Sequence, residues 1–251
     1  MTDLPQGFID ELCTLSGDIA RAYYRQPFEI DSKSDETPVT VADREIELRL
    51  RAFIEVHFPK DGIIGEEFGE TPSRSGRTWI LDPIDGTKSF TIGRPTFTTL
   101  IALCEEGVPV LGVIDQPIIG DRWVGARGQV STHNGKPISV RSCPSLKQAI
   151  CGVGGPDQVG RANHDMLRDA SRYMIYQGDA YLYGLMAQGH MDLVVEATMG
   201  VYDIMALVPI VEGAGGIITD WQGKPQIVGS SDKVLAAGSV AIHQEAMVLL
   251  T

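Results

Sequence analysis

The chain has 251 residues, 43% of them hydrophobic, which is enough to bury a sizeable core as one large domain or two close lobes. Acidic residues outnumber basic ones 33 to 21, and the formal net charge of −12 disfavours a nucleic-acid backbone as partner while suiting cations and positively charged small molecules. No apolar run approaches the roughly 18 to 20 residues that span a bilayer, and the first residues lack a basic stretch followed by an apolar core, so a cytoplasmic setting is expected. In chain order, two amphipathic helices are predicted over about 4–26 and 41–57, joined by the polar segment DSKSDETP. The first keeps Phe8, Ile9, Leu12, Leu15, Ile19, Ala20 and Tyr23 on one face. Strands follow at about 78–82, 97–104, 108–115, 120–126 and 137–141, separated by Gly and Pro turns, as a meander. From about residue 142 the pattern alternates strand and helix, including a helix near 163–172, which argues for an α/β second half. No internal repeat or low-complexity tract interrupts this order.

Four cysteines (Cys13, Cys104, Cys143, Cys151) are scattered without a C-x-x-C pair and read as reduced structural thiols. His57, His133, His164, His190 and His243 show no metal-ligand spacing. The glycines of GVGG (152–155) lack the G-x-G-x-x-G spacing of a dinucleotide site.

The run WILDPIDGTKSF (79–90) carries the most chemical information. An apolar strand leads into it, Pro83 is expected to end that strand, and Gly86 allows a tight turn. Asp82 and Asp85 therefore stand at a strand end, with Thr87 beside amides that open a predicted helix and suit an anion such as phosphate. A D-P-x-D-G stretch is equally ordinary turn chemistry, and this run alone does not decide between the two. The spacing speaks against the haloacid-dehalogenase signature D-x-D-G-T, whose carboxylates are two apart and near the chain start. IIGEEFGE (63–70) adds Glu66 and Glu67 at another strand end, although adjacent glutamates also fit a solvated face. VYDIMALVPIVEGAGGIITDW (201–221) opens on Asp203, which could be a simple helix cap, and Pro209 is expected to kink the following helix and strand a carbonyl.

Together, in this order and spacing, these segments resemble the G-E-E, W-I-x-D-P-[IL]-D-G-T and W-D-x-x-A…E-A-G-G motifs of the inositol monophosphatase family of magnesium-dependent, lithium-sensitive phosphatases. PVTVADREIE (38–47) resembles its D-x-V-T-x-A-D element, so the resemblance runs over nearly the whole chain. Tyr202 departs from the usual Trp. The resemblance implies an α/β (α+β) fold, a layered α-β-α-β-α sandwich forming one domain over 1–251, with closely packed lobes at approximately 1–141 and 142–251. It also implies a homodimer, and a loop at DSKSDETP that closes over the site.

By the same resemblance, Glu66, Asp82 and the Ile84 carbonyl hold one Mg²⁺, while Asp82, Asp85 and Asp203 hold a second. Two to three ions and Li⁺ inhibition are expected, with Glu67 as an outer candidate. Glu66, Thr87 and Asp43 orient a metal-activated water for direct attack on phosphorus, with no covalent phosphoenzyme. For Asp43, a helix cap at REIELRLRAF is the alternative. Gly86 and Thr87 amides steady the phosphate oxygens.

Within the family the closest likeness is to histidinol-phosphate phosphatases, carried by DGTKSF, GRPTFTTLIAL, GVIDQP, RWVGARG and QGDAYLYGLMAQGHMDLVVEA. Lys88 speaks against an inositol-1-phosphate phosphatase more than against a 3′(2′),5′-bisphosphate nucleotidase, and Lys88 itself is expected to support the phosphate or its loop. A non-catalytic metal-binding scaffold is the reading from another class. L-Histidinol phosphate carries an ammonium and an imidazole, so acidic walls would suit it. Asp179 and Glu196 are the specificity candidates, with Asp203 also facing substrate; a cap or a solvated acid is the alternative for Asp179 and Glu196.

Overall fold

The computed structural model describes residues 4–5, 7–27, 30–32 and 38–250. Positions 33–37 of the polar connector lie outside the described residues, so the expected closing loop is not addressed.

Helix α1 (Phe8–Tyr23) buries Phe8, Leu12, Cys13, Ser16 and Ala20 on one face, with Asp10 and Glu11 in its first turn and Arg21 in its last, matching the helix dipole. It is shorter than expected at both ends: Gly7 takes a left-handed φ of 80° before it, and Tyr24 turns extended after it. Two short strands not anticipated from the sequence, β1 (Ile30–Ser32) and β2 (Pro38–Thr40), pair antiparallel and lead into α2 (Val41–His57). The start of α2 is fixed by a capping box, in which the Thr40 hydroxyl serves the first-turn amides and the Asp43 carboxylate takes the Thr40 amide.

The main sheet comprises β3 (Gly62–Gly65), β4 (Gly69–Thr71), β5 (Arg77–Asp85), β6 (Thr98–Glu105), β7 (Val108–Gln116), β8 (Asp121–Ala126), β9 (Thr132–His133) and β10 (Lys136–Pro137). Its order is β10-β9-β8-β7-β6-β5-β3-β4, antiparallel except where β3 runs parallel to β5. Contrary to the sequence expectation, Pro83 does not end β5. Asp82 pairs with Leu100 and Asp85 with Thr98, so β5 carries one extra residue across this stretch. Such a bulge tolerates a proline that donates no ladder hydrogen bond. The strand expected over 137–141 shrinks to β10, because the amides of Ile138 and Val140 bond instead to the carbonyls of Ser131 and Ala214.

The second sheet has β11 (Ile150–Val153), β12 (Tyr173–Tyr176), β13 (Leu193–Glu196), β14 (Ile217–Thr219) and β15 (Val234–Ala237), ordered β12-β11-β13-β15-β14. Around it lie α4 (Pro156–Val159), α5 (Arg161–Ala170), α6 (Tyr181–Ala187), α7 (Val201–Ile204), α8 (Leu207–Gly213) and α9 (Val240–Leu249), while α3 (Thr87–Thr91) follows β5. The long helix expected across Pro209 is divided into α7 and α8. Pro209 falls in the first turn of α8, where its missing amide has no intrahelical duty, so it lies at the start of a new helix instead of inside a continuous one.

Strand alternation sorts the apolar residues into three cores. Trp79 and Leu81 of β5 face Leu12, Ile46 and Leu50 of α1 and α2, whereas Ile80 faces the other way, toward Tyr183, Met186, Leu207 and Ile210 of α6 and α8. Those helices also cover Val194 and Ala236 on one face of the second sheet. Its opposite face, with Leu193, Val195, Leu235 and Ala237, packs on Leu167 of α5 and on Ile242 and Ala246 of α9. Helix, sheet, helix, sheet, helix is the layering expected. Among the described residues, no helix is long and apolar enough to cross a membrane.

Candidate active site

The bulged end of β5 delivers Asp82 and Asp85 to the space between the two sheets, and α7 brings Asp203 to meet them. Ligand-capable oxygens of Asp82, Asp85 and Asp203 all lie within 4.8 Å of one another. Asp85 and Asp203 are each held by a backbone amide. Asp85 Oδ2 accepts the Ala180 amide at 2.6 Å and the Thr98 hydroxyl at 3.4 Å, and Asp203 Oδ2 accepts the Gly200 amide at 2.6 Å. Asp203 is thus both the first-turn cap considered from sequence and a member of the acidic triad. Asp82 Oδ1 is buried and makes no hydrogen bond.

Burial, reinforced by the charges of Glu66, Asp85 and Asp203, holds the Asp82 carboxyl well above the usual carboxylate range. Burial and the charges of Asp179 and Asp203 do the same to Asp85, against a lowering contribution from the Ala180 amide. Three crowded carboxylates with a buried orphan oxygen form an all-oxygen donor set, which fits a hard divalent cation such as Mg²⁺. Glu66 stands outside this triad, yet its charge acts on both Asp82 and Asp43.

Thr87 Oγ1 lies 3.2 Å from the Ile84 carbonyl and 3.4 Å from Asp43 Oδ1, so Ile84, Thr87 and Asp43 are brought together. Asp43 Oδ2 is occupied by the Thr40 amide at 2.8 Å and hydroxyl at 2.5 Å. Asp43 is therefore not the cap residue itself but the third helical residue of a capping box, with its other oxygen left for Thr87. Burial raises its pKa to about 6, against lowering bonds from Thr40. Gly86 is at φ 81°, and an added Cβ there would stand 2.5 Å from the Asp179 carboxyl. Both facts demand glycine. Since α3 has only five residues, any anion here would meet local amides rather than an extended helix dipole.

A cavity of about 590 Å³ adjoins these acids, lined among others by Lys88, Ser89, Arg94, Gln177, Asp179 and Glu196. Asp179 sits at φ 51°, with Oδ2 accepting Ser89 Oγ at 2.6 Å and Thr96 Oγ1 at 3.3 Å. Burial raises its pKa, while the Arg94 and Lys88 charges and both hydroxyl bonds lower it. Glu196 accepts the Tyr183 hydroxyl at 3.0 Å, and burial pushes it up to about 7. A second concavity of about 560 Å³ beside α1 has no such acid cluster; its Arg122 is spent on Asp10 and Asp115.

Sequence reasoning assigned no role to Ser89, Thr96 and Arg94, although all lie in segments it singled out. It also passed over Glu47 and Arg51, whose i, i+4 spacing on α2 was the available signal.

This architecture, with a carboxylate cluster at a strand end between two sheets, is that of a metal-dependent phosphoric monoester hydrolase. The chain belongs to the inositol monophosphatase family, whose profile matches residues 8–250. It is 43% identical to the bifunctional phosphatase IMPL2 of Arabidopsis thaliana over 248 residues, covering 94% of this chain and 72% of that protein. It is 37% identical to the histidinol-phosphatase of Mycobacterium tuberculosis over 230 residues, covering 88% and 87% of the two chains. Among solved structures, an inositol monophosphatase from Zymomonas mobilis superposes with a TM-score of 0.89 at 45% identity, covering 96% and 95% of the two chains. Enzymes of this family are Mg²⁺-dependent, in keeping with the acidic cluster found here.

Proposed function

We propose that the chain hydrolyses L-histidinol phosphate to L-histidinol and phosphate, serving histidine synthesis. The observation that carries this reading is the cavity beside the metal acids, whose lining includes the carboxyl groups of Asp179 and Glu196. An ammonium and a protonated imidazole bound there would favour the ionised form of both buried carboxyls and pair with them. Similarity to proteins named histidinol-phosphatase supports it, at 38% identity for that of Chlorobaculum parvum and 37% for that of Mycobacterium tuberculosis.

In this reading Glu66, Asp82, the Ile84 carbonyl, Asp85 and Asp203 hold Mg²⁺, and the residues present fit that role in type and burial. When bound, the ions neutralise the phosphate dianion and the charge developing on the leaving oxygen. The chain's own groups do the rest. Thr87 Oγ1 takes a hydrogen bond from the attacking water and passes its own proton toward Asp43 Oδ1, while Glu66 orients the same water. The new P–O bond forms from the water oxygen as the ester P–O bond breaks, and the departing histidinol oxygen takes a proton from solvent. Gly86 and Thr87 amides steady the phosphate oxygens. The proposal extends to two or three ions per site, inhibition by Li⁺, a homodimer and a cytoplasmic setting.

A second reading, a bisphosphate nucleotidase, is favoured by Lys88 and Arg94 lining the same cavity, since two cations suit a second anion; an inositol-1-phosphate phosphatase, whose substrate has no second anion, gains nothing from them. Phosphate release from L-histidinol phosphate, inositol-1-phosphate and adenosine 3′,5′-bisphosphate, with Asp82→Asn as blank, separates the two. Preference for histidinol phosphate is expected; preference for either other ester overturns the substrate assignment and leaves the metal chemistry standing. Absence of Mg²⁺-dependent release from every ester would point to a non-catalytic scaffold.

A further inference from the structure

Three consecutive amides hold the turn that carries Glu66, and two of them end on one buried side chain. Glu66 N–H donates to the Leu81 carbonyl at 3.2 Å, tying the turn to β5 just before Asp82. Glu67 N–H donates to Glu47 Oε2 at 2.7 Å, and Phe68 N–H to Glu47 Oε1 at 3.2 Å. Glu47 is fully buried, and Arg51, one turn further along α2, pairs with its Oε1 at 2.7 Å. Arg51 in turn donates to the Gly69 carbonyl and, at 3.4 Å, to the Thr71 hydroxyl, closing the far side of the same turn. The approach is so close that a Cβ at Gly65 would overlap the Glu47 carboxylate, so Gly65 is required for the carboxylate to reach the amides.

A buried ion pair is weak evidence for stability, because apolar groups of the same volume would serve a core as well or better. What an apolar pair could not do is accept two backbone amides in a fixed direction. Glu47 also follows Asp43 by one helical turn, so α2 presents one acid to Thr87 and the next to the Glu66 turn.

We infer that Glu47, oriented by Arg51, is a positioning residue that sets the Glu66 carboxylate for Mg²⁺ binding, an inference that rests on Glu66 being a metal ligand. In Glu47→Gln one of the two acceptor oxygens becomes an amide nitrogen facing a backbone N–H, so one anchor of the turn is lost while the volume is kept.

The test is calorimetric titration of the substrate-free protein with Mg²⁺, well below the melting transition. Glu47→Gln, Glu66→Gln and Ile46→Val are compared, the last truncating a buried core residue next to Glu47. Glu47→Gln is expected to weaken Mg²⁺ binding about 10-fold to 100-fold, as loss of a supporting partner does. Ile46→Val is expected to lower the melting temperature without changing the affinity. Weakened binding in Glu66→Gln with unchanged binding in Glu47→Gln overturns the positioning role alone. Unchanged binding in Glu66→Gln overturns the ligand assignment beneath it. Equal weakening in Ile46→Val and Glu47→Gln would show general loosening and overturn it too. Should Glu47→Gln not fold, Arg51→Lys takes its place, with weakened binding expected and unchanged binding the overturning result.

Discussion

The Thr87 hydroxyl has one proton and two acceptors, the Ile84 carbonyl at 3.2 Å and Asp43 Oδ1 at 3.4 Å. Neither contact is short, so little of the stability of the fold rests on either. Thr87→Val keeps the volume and leaves the bonds between Asp43 and Thr40 in place. Phosphate release should therefore fall about 10²-fold to 10⁴-fold, the usual worth of a positioned proton-transfer group, with little change in melting temperature. A variant that retains more than a tenth of the wild-type rate would remove Thr87 from the proton path. Asp43 was ambiguous between cap and catalytic group in the sequence; in the structure one of its oxygens serves Thr40 in the capping box and the other faces Thr87, so the two roles do not compete for the same atom.

At the scale of elements, α8 lies directly on glycines of the main sheet. A Cβ at Gly112 of β7 would overlap the Ala206 carbonyl, and one at Gly125 of β8 the backbone of Pro209 and Ile210. These glycines let α7 and α8 settle low enough for Asp203 to reach Asp82 and Asp85. Gly112→Ala should lower stability to urea by about 1–3 kcal/mol, the range for overpacking a core, and weaken Mg²⁺ binding because Asp203 is displaced with the helix. Helix α9 offers a pH-dependent handle. His243 lies buried with Nε2 2.8 Å from Thr219 Oγ1, and burial lowers its pKa below the ordinary 6.5. Since the unfolded chain then binds the proton more readily, this contribution is complete above pH 6.5 and is lost as the pH falls toward the depressed folded value. His243→Gln should accordingly lose less melting temperature than the wild type between pH 7.5 and about pH 5, with melts of both proteins side by side as the check.

For the whole molecule, the acidic triad stores repulsion that a divalent cation relieves. Because the folded-state pKa of Asp82 is raised, its ionised form disfavours folding of the metal-free chain at neutral pH. Mg²⁺ at 100 times its dissociation constant should add about 2.7 kcal/mol, or roughly 5–11 °C in melting temperature for a chain of this size. Asp82→Asn should melt above the wild type in EDTA and gain little from Mg²⁺. A wild type whose melting temperature ignores Mg²⁺ would mean that the triad binds no cation under those conditions.

Much of this protein was legible before folding. Apolar periodicity marked α1, α2 and the meander, and the Gly of D-P-I-D-G marked the turn that follows a strand bearing two acids, because backbone torsions and side-chain faces are set by neighbours in the chain. The family motifs extended that reading to Asp43, Glu66 and Asp203. Other features belonged to the tertiary structure alone. The bulge that carries β5 past Pro83 depends on the register of β6, and the division of the helix around Pro209 on the surface it packs against. The gathering of Arg94, Thr96 and Ser89 around Asp179, and the seating of Glu47 under the Glu66 turn, depend on how distant segments stack. Local sequence determines which face of an element is apolar and where its ends lie; which side chains meet across layers is decided only when sheet register and helix packing close the core.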